Sequence, residues 1–148
     1  MEKYLMQMVM GSIGAVGFAV VFNVPRDNLR FIAASSALSW LGYAVCMICN
    51  TGVFWAFFCG TAVAALLSEI LARAIRVPVL MLVVPILIPL IPGGDLYHMM
   101  SHLVRGRDAD MLKYARLLLL EAGAIALGII CVASVTGVLT SLKHRKHR

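Results

Sequence analysis

The sequence predicts an all-α integral membrane protein with about five transmembrane segments, the fourth broken by prolines. Three observations carry that expectation. Of 148 residues, 61% are hydrophobic and 14% charged, with a mean hydropathy of +0.92, whereas a soluble domain is near half apolar and about a quarter charged. Apolar stretches of roughly 20 residues, the length that crosses a bilayer, recur along the chain. Prolines at positions 78, 85, 89 and 92 interrupt one of them. A chain so short and apolar is expected to be a single membrane domain over residues 1–148, without a soluble catalytic module.

The first segment is expected over 4–24 and stops before Pro25, which lacks an N–H and restricts the residue before it. A cleaved leader peptide is not expected, because Leu5 to Val24 exceeds a typical apolar region of about 7–15 residues and no small-residue cleavage site follows. The second segment, 29–49, closes at Asn50-Thr51-Gly52. That connection is so short that the third, 53–74, must return antiparallel beside it. Small residues recur every fourth position at Gly11, Ala15 and Ala19, and again at Gly60, Ala64, Ser68 and Ala72. In lipid such ridges let helices approach closely, either within the chain or against another subunit.

The fourth segment, 77–93, carries Pro85, Pro89 and Pro92. Each interior proline removes a hydrogen bond and costs about 3 kcal/mol, so a continuous regular helix is not expected. Carbonyls released at membrane depth must be buried in protein or line a watered cavity. The polar stretch after His98, from His102 to Lys113, reads as a surface connection, with a partly helical form left open, the fifth segment as 117–142, and Lys143–Arg148 as a basic anchor on anionic lipid.

The net charge of +6 would suggest nucleic acid in a soluble protein. Here the basic residues sit in connections and the tail, so nucleic acid is not an expected partner. With five segments, the ends bearing Arg26, Arg30, Arg73, Arg76 and the tail hold 8 Lys and Arg, against 5 at Lys3, Arg105, Arg107, Lys113 and Arg116. The positive-inside rule then puts the N-terminus outside and the C-terminus inside. A re-entrant fourth segment gives the same totals, so charge leaves four and five spans open.

Two carboxylates lie in or near apolar spans, where ionisable groups are functional candidates. Glu69 precedes Arg73 by four residues, the favourable order for a helical ion pair. Glu121 has no basic residue three or four positions away on either side. Ion coupling is one role for both; an interfacial pair for Glu69 and a snorkelling side chain for Glu121 are the structural alternatives. His98 and His102 would share a helix face, but no H-E-x-x-H pattern completes a metal site. Cys46, Cys49, Cys59 and Cys131 lie in apolar stretches and read as packing residues. Without a nucleophile elbow, phosphate loop or dinucleotide fingerprint, neither an enzyme nor a cofactor is expected.

Gly17-Phe18-Ala-Val-Val-Phe22-Asn23-Val-Pro25, followed by Ile88-Pro89-Leu-Ile-Pro92-Gly93 and Tyr97, resembles the membrane domain of the threonine/serine exporter family. The similarity is closest to its small stand-alone members. Gly94 and Glu121 depart from the expected pattern. The resemblance implies a five-span half-transporter in the cell inner (plasma) membrane. Its implied partner is a second membrane subunit of the same family that carries a cytoplasmic domain; a homo-oligomer is an alternative way to complete the pathway. It also implies export of small polar metabolites, either threonine and serine or a dicarboxylate such as succinate. Broken helices in transporters bind substrate and ions near midplane, which makes Asn23, Pro92, Gly93 and Tyr97 substrate-binding candidates, with Glu121 and Glu69 for ion coupling. The competing reading is a non-transporting scaffold that stabilises or localises a partner.

Overall fold

The computed structural model describes residues 2–145, with side chains described for 5–138. The described residues are helical apart from short turns, with no strand. The helices are α1 (Glu2–Val21), α2 (Leu29–Ile48), α3 (Val53–Ile75), α4 (Leu80–Leu87), α5 (Gly93–Val104) and α6 (Asp108–Arg145). Arg26–Ile48, Val53–Ile75 and Asp108–Val138 are each long and apolar enough to cross a membrane. Leu80–Leu90 with Gly93–Val104 makes a fourth span if counted as one bent element, and Leu5–Val21 is a shorter apolar helix. The basic tail Lys143–Arg148 lies outside the described side chains.

Four helices end by the same device. Asn23, Asn50, Arg76 and Gly106 all adopt left-handed φ, at 60°, 54°, 57° and 65°. At each, the next residue's N–H bonds back five positions: Val24 to Ala19, Thr51 to Cys46, Val77 to Ala72 and Arg107 to His102, at 3.0–3.2 Å. These are Schellman endings, which satisfy carbonyls left open at a helix C-terminus. The first helix therefore stops at Val21 because Asn23 turns left-handed, and Pro25 follows an ending already made.

The proline segment differs from its expected form in where it breaks. Pro85 sits inside α4, and the chain then tightens to 3₁₀ geometry over Ile88–Leu90. The break comes at Ile91 and Pro92, where the axis turns by 63°. Ile91 is extended (φ −69°, ψ 123°), as a residue before proline prefers, and Pro92 sits at φ −75°, ψ 58°. Gly93 N–H bonds the Ile91 carbonyl at 2.7 Å, closing an inverse γ-turn. Beyond it the chain is again helical, so the element continues to Val104 instead of ending at 93.

The small-residue ridges are used within the chain. Ala15, Ala19, Ala64 and Ala72 share a buried cluster with Val24, Ile32, Leu82 and Ile86. A Cβ on Gly11 would fall 2.8 Å from the Pro89 Cβ, and one on Gly60 would fall 3.1 Å from the Tyr43 Cβ and 3.2 Å from Leu90. Ser39 Oγ donates to the Gly60 carbonyl at 3.0 Å, tying α2 to α3. These ridges face other helices of the same chain.

Candidate functional site

The stretch expected as a surface connection is a helical hairpin. A turn at Arg105–Arg107 joins α5 to α6, and α6 runs unbroken from Asp108. Its side-chain pairs record an antiparallel register. His102 Nδ1 stands 3.9 Å from Asp110 Oδ2. The Tyr114 ring stacks on His102 and His98 at centroid distances of 5.4 and 5.2 Å. These histidines are therefore helical residues of a hairpin and not loop residues.

One level deeper, the same register sets Asp95 against Glu121. Glu121 is 2% exposed, so it does not snorkel to an interface. Its Oε2 makes no hydrogen bond among the described residues. Asp95 lies seven residues before His102 on α5 and Glu121 seven after Tyr114 on α6, so both acids stand on the helix faces that meet in the stack, with Asp95 at the level of Glu121. Asp95 gave no signal as a partner in the sequence, because 26 positions separate it from Glu121; only the hairpin joins them. Buried Ser36 Oγ and Thr61 Oγ1 also make no hydrogen bond among the described residues, and nothing in the sequence marks them apart from other hydroxyls.

The outer face of the break is open. Gly93 and Gly94 are exposed, a Cβ on either would meet nothing within 4 Å, and Tyr97 is 69% exposed one turn on from Gly93. Gly93 is not among the positive-φ glycines. It is the first helical residue of α5, and its small size leaves surface free instead of permitting a strained turn.

Asn23 is not brought to this break. Gly11, against Pro89, lies near break level, and α1 runs from there to Val21, roughly 15 Å at 1.5 Å per residue. The left-handed backbone of Asn23 is accounted for by the Schellman ending, while its side chain is exposed. Glu69 is also apart from Glu121. It pairs with Arg73 at 3.1 Å and borders a cavity of about 150 Å³ that Ile129, Val132 and Ala133 also line. Ile129 is eight residues beyond Glu121 on α6, roughly 12 Å along the axis. Among the described residues, no group of three or more His, Cys, Asp or Glu side chains could hold a metal.

The family model described as Threonine/Serine exporter, ThrE, matches residues 7–135. The chain belongs to the threonine/serine exporter family. A relative from Haemophilus influenzae, named only an uncharacterized protein, is 33% identical over 105 residues, covering 71% of this chain and 35% of the relative. This exporter-family chain thus spans about a third of that curated relative's length. No solved structure matches it. Family match and apolar helices together make it a membrane protein of this family, with a proline-broken helix and a buried acidic residue.

Proposed function

We propose that the chain is one membrane subunit of a secondary transporter that exports small polar metabolites, threonine- or serine-type amino acids or a dicarboxylate such as succinate. It works with a partner half-transporter of the same family that carries a cytoplasmic domain. The pair resides in the cell inner membrane, with this chain crossing five times, its N-terminus outside and its C-terminus inside. Pro92, Gly93 and Tyr97 meet substrate at the break, Asn23 meets it at the far end of α1, and Glu121 and Glu69 respond to the coupling ion.

The observation that carries this reading is the open face of the break. Two glycines and a tyrosine hydroxyl at an interrupted helix are out of place against lipid, where backbone polar groups need internal partners. They suit a pathway closed by a second half, since transporter sites form between paired repeats. Reconstitution of the chain alone and with its partner subunit, followed by flux of labelled threonine, serine and succinate, tests it. Flux of one substrate class only when both subunits are present is the expected result. Strong flux from the single chain removes the half-transporter, and none with either arrangement favours the scaffold.

A further inference from the structure

We propose that the Asp95 and Glu121 carboxyls form a single proton-binding site inside the α5/α6 hairpin, reached from the Arg105–Arg107 turn along the His102–Tyr114–His98 stack. Its role in export rests on the transporter reading above; its existence does not.

The hairpin supplies the geometry. From the turn inward, Asp110 faces His102, Tyr114 bridges His102 and His98, and Asp95 faces Glu121. His98 and Asp95 are three residues apart on α5, roughly one turn or 4.5 Å of rise. Imidazole and phenol can each give and accept a proton, so the column forms a stepwise route from the polar turn to half-buried Asp95 and buried Glu121. At its inner end, Glu121 has one carboxyl oxygen buried and without a hydrogen bond among the described residues. A bare carboxylate there would leave a charge unmatched in an apolar setting, which is strongly unfavourable. A proton held between two carboxyls satisfies a lone pair on the one that accepts it.

Other surroundings add no competing charge. α6 packs against α3 and α5. On α5 the titratable side chains are Asp95, Tyr97, His98 and His102, and Asp95 is the one at the level of Glu121. On α3, Gly128 of α6 lies beside Thr61 and Phe58. Two turns back toward Glu121, the same register faces Thr51 to Phe54, where no side chain titrates. Glu69 and Arg73 pair with each other two turns away in the opposite direction.

Dicyclohexylcarbodiimide tests the site in membranes holding the full-length chain, without substrate or partner. It adds to a protonated carboxyl: an acid oxygen bonds the central carbon, the acid proton moves to a carbodiimide nitrogen, and nothing leaves. Peptide mass spectrometry should find the adduct on Glu121, with labelling that rises as pH falls. Asp95→Asn, which cannot share a second carboxyl's proton, should move the labelling midpoint to lower pH by about one unit, a tenfold change in proton affinity. Glu121→Gln should abolish the adduct. After a rapid acid jump, the infrared carbonyl band of the protonated pair should grow about tenfold more slowly in a His98→Phe, His102→Phe double variant, with the same final amplitude.

An unlabelled Glu121 at every pH, or a midpoint unmoved by Asp95→Asn, overturns the pair. Unchanged band growth in the double variant overturns the route. Substrate flux without labelling defeats the proton site and leaves the exporter reading standing, whereas labelling without flux in the two-subunit assay does the reverse.

Discussion

The α1–α4 block and the α5/α6 hairpin solve opposite problems with nearby stretches of one chain. In the block, small residues bring backbones together, and Ala15, Ala19, Ile32, Ala64, Leu82 and Ile86 are fully buried. In the hairpin, α5 buries none of its residues and packs mainly on α6, through imidazole, phenol and carboxyl groups. In a bilayer, apolarity alone does not drive helices together. The block gains cohesion from close fit and the hairpin from polar pairing, so shape changes should damage the first and charge changes the second.

The largest expected effect is therefore a shape change in the block. Gly60→Val sets a branched side chain against Tyr43 and Leu90, both already within 3.2 Å of where a Cβ would stand, and should lower stability by about 3 kcal/mol. Reversible unfolding in mixed micelles measures it; tolerance of valine would break the contrast. A smaller loss is expected where the two regions join. In Gly128→Ala the added methyl would lie 3.0 Å from the Thr61 Cβ and 3.1 Å from the Phe58 carbonyl oxygen. Because that oxygen is backbone and cannot swing aside, a loss of about 1–2 kcal/mol should follow, read in the same titration.

Asn23 sharpens the comparison by separating capping from binding. Asn23→Ala should cost about 1 kcal/mol, because alanine resists left-handed φ, whereas Asn23→Gly should preserve the ending. If Asn23→Gly leaves stability intact and slows flux in the two-subunit assay, the amide serves substrate; equal flux assigns it to the cap alone. Glu69→Gln should change stability by less than about 1 kcal/mol, as its partner Arg73 is largely exposed. The smallest effect on stability belongs to Gly93→Ala, within about 0.5 kcal/mol, since nothing stands near the added methyl. A several-fold loss of flux from so mild a change would locate substrate or partner at the open face.

The parts of this architecture legible in the sequence are those set by local patterns. Asn50-Thr51-Gly52 marks a hairpin because its stop lies within a few residues of the helix it ends, and the small-residue ridges foretell close packing. Proline spacing marks an interruption but not its position. Pro85 is absorbed inside α4 and Pro89 by 3₁₀ geometry, so the turn falls only where Ile91 becomes extended before Pro92. The α5/α6 hairpin was hidden for a different reason. Its histidines, Tyr114 and acids look like a solvated loop when read one by one. Yet His98 with His102, and Asp110 with Tyr114, are spaced four apart, as two facing helical stripes require. The pairing of Asp95 with Glu121 is set by tertiary register, which no local pattern contains.

The Schellman endings at Asn23, Asn50, Arg76 and Gly106 have a consequence for the order of assembly. Every bond that ends these helices spans no more than five residues. The stop can form as soon as those residues have been synthesised, before the helix against which it will pack exists. Chain reversal is thus written into the nascent segment, and the ribosome delivers each helix to the bilayer with its end already decided. The carboxyl pair must wait, because Asp95 meets its counterpart only after the turn and the first four turns of α6 have followed it out. Until that moment the acid sits on an unpaired helix, and the late closing of the hairpin is what brings it against Glu121.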